Sequence, residues 1–224
     1  MLVTLERVMD PGELEAVRGL LDRASFVDGR LSAGAAARRV KQNEEVAAGS
    51  GVLEALNRIV MGRLVQHPTY QRAALPHRVA VPYYARYTAG MGYGDHVDDP
   101  VMGPSGGRYR SDVSVTVFLS GPAEYDGGEL VVRTAFGPQS VKLAAGDAVL
   151  YPSSSLHRVA EVTRGQRLVA VTWVQSLVRE AERRELLFEL ALAREHLLRE
   201  RPTAEETAWV DRSYVNLVRM WSQP

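Results

Sequence analysis

Residues 113–119 read Val-Ser-Val-Thr-Val-Phe-Leu, with an aliphatic side chain at every second position. An alternation of period two places these side chains on one face of an extended chain, which is typical of a β-strand. Downstream, Asp126-Gly127-Gly128 supplies turn-forming residues before a further β-prone segment at 129–133. This part of the chain therefore predicts antiparallel strands.

The same β-prone composition extends in both directions. Short stretches rich in Val and Tyr, separated by Gly, Pro and Asp, continue from about residue 78 to about residue 177, and the apolar run at 168–174 has the length of a buried strand. No helical period separates these strands. A closed or two-sheet antiparallel architecture such as a jelly roll is therefore favoured over a doubly wound parallel sheet.

Helices are predicted before this β core. Asp10, Pro11 and Glu13 have the order of an N-cap, a first-turn proline and a capping box, which predicts a helix that runs to about Ala24. A second helix is predicted at 52–66, where apolar residues recur three and four positions apart.

The segments around the second helix lack such a pattern. Residues 25–51 contain four glycines and no dependable period, so they are predicted to be mostly loop. Pro68 ends the second helix, and residues 68–76 are predicted to be a connection to the first strand of the core.

A helical hairpin is predicted after the β core. Leucines follow a helical period through the 180s and 190s, and Thr203 with Glu206 forms a second capping box before a last amphipathic helix. Packing against the β core is the favoured role of this hairpin, and self-association into a homo-oligomer is the alternative. The fold class is thus mainly β with flanking helices, an α+β arrangement.

The composition limits the partners and the location. The 27 basic and 27 acidic side chains cancel, which argues against nucleic acid or an anionic membrane as the main partner. No apolar run approaches the roughly 20 residues that a membrane-spanning helix needs. The first residues, Met1–Glu6, contain neither a basic leader nor a following apolar stretch, so we expect a cytoplasmic protein.

Metal-binding chemistry is indicated by three side chains. The chain has no Cys, so a metal would have to bind His, Asp or Glu. His96 and Asp98 are two positions apart, which on an extended chain directs both side chains to one face. The triplet is weak by itself because His-x-Asp is common, and His157 in the same β core is the candidate third ligand.

Two imidazoles and one carboxylate form a facial triad that leaves three octahedral positions open, which suits Fe(II) with a bidentate organic acid and dioxygen. Zinc favours a fourth tight ligand. Arg167 stands at the start of the apolar 168–174 run, where its guanidinium can bind a carboxylate through two hydrogen bonds. An ion pair with a protein carboxylate is the alternative role.

Several motifs match one family. They are Arg86-Tyr87 with His96-x-Asp98, Asp126-x-Gly128-Glu129-Leu130, Gly146-Asp147 with Leu150-Tyr151-Pro152, His157-Arg158-Val159 and Arg164-Gly165-x-Arg167. With them the chain resembles the Fe(II)- and 2-oxoglutarate-dependent dioxygenases, and more narrowly the bacterial PKHD-type hydroxylases, relatives of prolyl and lysyl hydroxylases. The resemblance extends from the first helix through the C-terminal hairpin.

The resemblance implies a double-stranded β-helix with a specific site. His96, Asp98 and His157 would bind iron, Arg167 would bind the distal carboxylate of 2-oxoglutarate, and the Tyr87 hydroxyl would donate to this cosubstrate, although a strand tyrosine is commonly a core residue. The implied activity is hydroxylation of an unidentified substrate by dioxygen, with release of succinate and CO2 and with ascorbate as a further cofactor.

The resemblance also implies two parts of the chain, a dioxygenase domain at 1–177 and a C-terminal helical extension at 178–224.

A catalytically silent jelly-roll protein that senses or stores a metal and an organic acid is the alternative function. A cupin is less favoured because its His-x-His pair is missing, and a hydrolase because no Gly-x-Ser-x-Gly elbow accompanies the serines at 153–155.

Asp99-Pro100 departs from the family pattern. Residues 101–110 are predicted to be a solvated loop, and this loop would select the substrate.

Overall fold

The computed structural model describes residues 1–223. Its helices are α1 Pro11–Leu21, α2 Leu53–Leu64, α3 Pro68–Ala74, α4 Ala181–Glu200 and α5 Glu205–Trp221. Its strands are β1 Val3–Leu5, β2 Phe26–Asp28, β3 Lys41–Gln42, β4 Glu44–Val46, β5 Pro76–Val79, β6 Tyr83–Thr88, β7 Gly92–His96, β8 Val101–Met102, β9 Tyr109–Arg110, β10 Val113–Phe118, β11 Tyr125–Gly127, β12 Leu130–Thr134, β13 Gly137–Val141, β14 Ala148–Pro152, β15 His157–Val159 and β16 Val162–Ser176.

Two antiparallel sheets form the core. The larger sheet has the order β1-β14-β10-β16-β6-β4-β2, with β5 and β11 also paired to β16, and the smaller sheet has the order β13-β12-β15-β7-β3. β8 and β9 form a separate hairpin. The predicted two-sheet antiparallel architecture with flanking helices is therefore confirmed.

The strand that begins at Val113 lies in the centre of the larger sheet, and all six of its residues are buried. Its valines belong to the apolar cluster shared with α1 and α2, whereas Phe118 belongs to a second cluster that contains residues of both sheets. Since neighbouring residues of a strand face opposite sides, Ser114 and Thr116 face the same interior as Phe118. The polar positions of the alternation thus point between the sheets.

The prediction of mostly loop at 25–51 is wrong in part, because β2, β3 and β4 lie in this segment. β3 pairs with β7 of the smaller sheet, and β4 pairs with β6 of the larger sheet. Strands of two or three residues are too short to show a period in the sequence. The segment therefore connects the two sheets.

The predicted connection at 68–76 is also wrong, because most of it is α3. Pro68 ends the pattern of α2 and also occupies the first turn of α3, a position that proline favours. Leu75 follows α3 in the left-handed conformation, with φ of 44°, and terminates it. One proline thus marks both the end of a helix and the start of the next.

The first of the two predicted capping boxes is confirmed. The backbone N–H of Glu13 donates to Asp10 Oδ1 at 2.9 Å, and that of Asp10 donates to Glu13 Oε2 at 3.1 Å. The second is wrong, because α5 begins with Ala204 at its N-cap. Thr203 therefore precedes the cap by one residue.

The C-terminal hairpin packs on one end of the larger sheet and on α3. Leu75, Val178 and Leu187 form a small apolar cluster that Tyr214 and Trp221 of α5 cover. Among residues 1–223, no helix is both long and apolar enough to cross a membrane. Self-association through this hairpin and the division of the chain at residue 177 stay predictions.

Candidate metal centre

Strand register brings the two candidate histidine ligands together. β7 and β15 pair antiparallel, with His157 opposite His96. Asp98 lies just beyond the end of β7, in the loop that leads to β8. The side chains of His96, Asp98 and His157 are only 7%, 9% and 5% exposed.

The three side chains converge on one point. Asp98 Oδ1 lies 4.0 Å from His96 Nε2 and 3.9 Å from His157 Nε2, and the three potential ligand atoms are within 4.8 Å of one another. These distances are too long for hydrogen bonds. They are short enough for all three atoms to share one cation, and the donor set of two imidazoles and one carboxylate suits Fe(II).

Backbone carbonyls fix the tautomer of both histidines. His96 Nδ1 is 2.8 Å from the carbonyl oxygen of Gly94, and His157 Nδ1 is 3.0 Å from that of Ser155. With the proton on Nδ1, Nε2 carries a lone pair toward Asp98. Burial, followed by the neighbouring His157 ring, lowers the pKa of His96 to about 4, so its imidazole is neutral at pH 7.

An aromatic ring supports each histidine. The Tyr93 ring stacks on His96 with 3.6 Å between ring centroids and 12° between planes. The Tyr151 ring meets His157 edge-on, at 5.1 Å and 65°. The ring orientations are therefore held by packing as well as by hydrogen bonds.

Arg167 lies inside β16, opposite Tyr87 of β6, and is 1% exposed. Its guanidinium lies 5.0 Å from the Tyr87 ring centroid and 5.6 Å from that of Phe118. Within residues 1–223 it forms no ion pair, and its Nε and Nη1 have no hydrogen-bond partner. The ion pair with a protein carboxylate, considered as the alternative role, is thus not formed.

A small cavity of about 70 Å³ joins Arg167 to two of the candidate ligands, Asp98 and His157. Its lining includes Tyr87, Asp98, Thr116, Tyr151, His157 and Arg167. The Tyr125 hydroxyl is buried without a partner, and its ring is in the same cluster as Tyr87. A guanidinium without a protein carboxylate among residues 1–223, and three potential metal ligands near the same cavity, suit a dicarboxylate that chelates a metal.

A larger cleft of about 760 Å³ lies outside this cavity. Lys41, Tyr83 and Trp173 line both spaces, and the hairpin of β8 and β9 supplies part of the outer wall. The prediction of a solvated loop at 101–110 is therefore wrong in part, because β8 and β9 lie at the two ends of this segment.

Two residues near the triad have roles away from a metal. The guanidinium of Arg110 donates to Asp112 at 2.6 and 2.9 Å. The Asp99 carboxylate lies against Gly34 and outside the group of His96, Asp98 and His157.

The sequence interpretation missed three polar residues of the cavity wall, Lys41, Asn43 and Glu45. Lys41 Nζ donates to Glu45 Oε1 at 2.5 Å and to Ser32 Oγ at 2.9 Å. Polar residues at every second position are the only sequence signal of this inward face. A segment without apolar alternation was interpreted as loop.

Comparison with known proteins agrees with the chemistry that the site geometry indicates. Residues 82–175 match the model of the 2OG-Fe(II) oxygenase superfamily. The chain is similar to a PKHD-type hydroxylase of Thioalkalivibrio sulfidiphilus, with 55% identity over 222 residues and 99% of both chains covered.

Solved structures share the fold. A prolyl hydroxylase from Trichoplax adhaerens, in complex with a hypoxia inducible factor peptide, has a TM-score of 0.56 and 16% identity, over 83% of this chain and 86% of that chain. HygX from Streptomyces hygroscopicus, with nickel, 2-oxoglutarate and hygromycin B bound, has a TM-score of 0.55 and 16% identity, over 80% and 84%. The predicted jelly-roll fold is thereby confirmed.

Proposed function

Because the chain belongs to the PKHD-type hydroxylases of the 2OG-Fe(II) oxygenase superfamily, we propose that His96, Asp98 and His157 are the ligands of its iron. The chain is accordingly an Fe(II)- and 2-oxoglutarate-dependent dioxygenase. The convergence of two Nε2 atoms and one carboxylate oxygen within 4.8 Å is the observation that supports these three ligands. No other side chain is needed as a nucleophile, because the bound cofactor supplies the oxygen chemistry.

When bound, the iron supplies the activation of dioxygen, and the overall reaction inserts one oxygen atom into a substrate C–H bond and the other into 2-oxoglutarate, which leaves as succinate and CO2. The chain's own residues position the reactants. His96 and His157 direct their Nε2 atoms toward Asp98, while their Nδ1 atoms face backbone carbonyls. Partly buried Tyr93 and buried Tyr151, beside the two histidines, limit the access of water from this side of the site.

Arg167 is the proposed ligand of the distal carboxylate of 2-oxoglutarate, with the Tyr87 hydroxyl as a further donor. The support is the buried guanidinium whose Nε and Nη1 have no protein partner, because a buried cation is unfavourable unless it is paired. HygX, which has the same fold, binds 2-oxoglutarate together with a metal. The lining of one cavity by Asp98, His157 and Arg167 supports the same arrangement.

The outer cleft is the proposed entrance for the primary substrate. It borders the inner cavity at Lys41, Tyr83 and Trp173, so a substrate held there reaches the triad through this border. Ascorbate as a further cofactor and a cytoplasmic location complete the proposal. The resemblance to prolyl and lysyl hydroxylases supports ascorbate.

An anaerobic titration tests the site. Protein loaded with Fe(II) and titrated with 2-oxoglutarate should develop a visible metal-to-ligand charge-transfer band, and oxygen should then yield succinate. The variants His96→Ala and Asp98→Ala should bind no iron yet unfold at nearly the wild-type temperature, because these ligands lie outside the apolar clusters.

Normal iron affinity in both variants would refute the three ligands. Binding of iron and 2-oxoglutarate without any succinate, in the presence of oxygen and ascorbate, would favour the silent sensor or storage protein instead.

A further inference from the structure

Two buried hydroxyl groups stand behind the carboxylate of the proposed triad. Ser114 Oγ donates to Asp98 Oδ2, and Ser153 Oγ lies 2.8 Å from Ser114 Oγ. Ser114 is 1% exposed and Ser153 is 2% exposed. We propose that Ser114 and Ser153 form a hydrogen-bond relay that positions Asp98 for metal binding through Oδ1 alone.

The direction of the relay follows from the chemistry of the groups. An ionised carboxylate only accepts hydrogen bonds, and a serine hydroxyl has one proton to donate. The proton of Ser114 is given to Asp98, so in the second contact Ser153 donates and Ser114 accepts. The hydrogen bond from Ser153 therefore makes Ser114 a stronger donor toward the Asp98 carboxylate.

The relay accounts for the orientation of Asp98. Oδ2 is held by Ser114, which leaves Oδ1 as the oxygen that faces both Nε2 atoms, at 3.9 and 4.0 Å. Asp98 lies beyond the end of β7, so no strand pairing holds its side chain. Ser111 fixes the following loop by hydrogen bonds to the backbone carbonyls of Asp99 and Pro100, but these bonds do not set the rotamer of Asp98.

The fold gives Ser114 no other task. It lies in the centre of the larger sheet, in a strand that is buried along its whole length, and an apolar side chain would satisfy the packing there. A buried hydroxyl is unfavourable unless it is hydrogen-bonded, and its two partners are Asp98 and Ser153. We therefore assign Ser114 as a positioning residue rather than a catalytic one.

Titration of the metal-free protein with Co(II), an air-stable probe, tests the relay by calorimetry and by the visible d–d spectrum. Ser114→Ala should weaken Co(II) binding about 10- to 100-fold, the range for lost outer hydrogen bonds to metal ligands. Its d–d bands should also shift, because the released carboxylate can bind through both oxygens. Ser153→Ala should show a smaller loss, and Ser114→Thr, which keeps a hydroxyl, should restore most of the affinity.

Ser176→Ala is the matched control. Ser176 is fully buried, and its hydroxyl bonds only backbone groups, of Leu75 and Val178. It should lower the thermal midpoint without changing Co(II) affinity or spectrum. If Ser114→Ala does not fold, Ser153→Ala and Ser114→Thr carry the test.

Wild-type Co(II) affinity in Ser114→Ala, or in Ser153→Ala where that variant carries the test, would overturn the relay. An equal loss in Ser176→Ala would do so too, since the effect would then be general softening of the core. The inference rests on the proposed triad, and the two fail differently. Wild-type protein that binds no Co(II), or binds it equally well as His96→Ala, would refute the triad itself.

Discussion

Arg167 carries a permanent charge on a face of β16 where the next residues are aliphatic. Val169 and Val171, two and four positions along β16, line the same interior space. Two aromatic rings near the guanidinium offset part of its desolvation through cation–π contacts. No carboxylate in the described part of the chain, residues 1–223, completes the compensation. The charge is therefore expected to cost stability in the protein without its cosubstrate.

Replacing Arg167 with Met separates the effect of the buried charge on stability from its effect on 2-oxoglutarate binding. The metal-free protein should become more stable by about 1–4 kcal/mol, because an apolar side chain of similar length replaces an unpaired buried charge. Affinity for 2-oxoglutarate should fall about 10- to 100-fold, because charge-assisted hydrogen bonds contribute about 1.5–3 kcal/mol. Urea unfolding and calorimetric titration of the Mn(II)-loaded protein with 2-oxoglutarate measure the two quantities.

Arg164→Met is the control for this substitution. Arg164 is on the same strand, is 60% exposed and pairs with Asp126 at the surface, so both quantities should stay at their wild-type values. A clear loss of stability in Arg167→Met would mean that the guanidinium has a structural partner. Unchanged 2-oxoglutarate affinity would remove it from the cosubstrate site.

At the scale of elements, the two short strands β3 and β4 close the side of the core between the sheets. Lys41 and Glu45, one on each strand, form an ion pair with side chains that are 8% and 9% exposed. Lys41 Nζ also lies 5.4 Å from the Tyr93 ring centroid, and Tyr93 stacks on His96. The pair thus connects this closing segment to the candidate metal centre.

Breaking this pair on one side should be costly. Lys41→Met should destabilise the protein by about 3–5 kcal/mol, because it leaves the Glu45 carboxylate buried without its cation. The double variant Lys41→Met/Glu45→Met should recover most of that loss. Urea unfolding of the two variants and the wild type provides the comparison.

Arg30→Met tests the same segment at its surface, because Arg30 is 57% exposed and pairs with Asp28, which is 43% exposed. It should leave the unfolding midpoint unchanged. If the double variant is no more stable than Lys41→Met, the two charges do not act as a pair.

At the scale of the whole molecule, Arg184 fastens the C-terminal hairpin to the β core. Its guanidinium donates to the carbonyl oxygens of Val178 at 2.8 Å, Arg179 at 2.7 Å and Asp112 at 3.1 Å. Burial lowers the pKa of Arg184, yet the three carbonyls satisfy its charge. This contrasts with Arg167, which is equally buried and lacks such acceptors.

Arg184→Met should therefore destabilise the protein, by about 2–4 kcal/mol, because three buried carbonyl groups lose charge-assisted hydrogen bonds. Arg184→Lys should recover part of this. Limited proteolysis should show faster cleavage near residues 177–180, where the hairpin joins the sheet.

The control is Arg183→Met, one residue earlier in α4, where the side chain is 42% exposed and faces Glu180 at 3.7 Å. It should behave as wild type in both measurements. Equal effects of the two substitutions would mean that Arg184 does not anchor the hairpin.

Long elements were predictable and short ones were not. The periods of α1, α2 and the strands at 113–119 and 168–174 repeat often enough to be recognised, and β10 and β16 are indeed the central strands. β3 and β4 contain two and three residues, too few for any period. Their conformation is determined by pairing with β7 and β6, which no local pattern specifies.

The fold class, the family and the candidate ligands could be predicted before any contact was known, because periodicity, motifs and residue types are local properties of a chain. Which groups meet depends on the tertiary structure. His157 lies opposite His96, Ser114 and Ser153 lie behind Asp98, and no carboxylate of residues 1–223 pairs with Arg167. The contacts of the histidines, the serines and Asp98 join residues that are 16 to 61 positions apart in the sequence. The environment of Arg167 depends on which side chains pack around it. Strand register and side-chain packing set them, and both arise only when the whole chain folds.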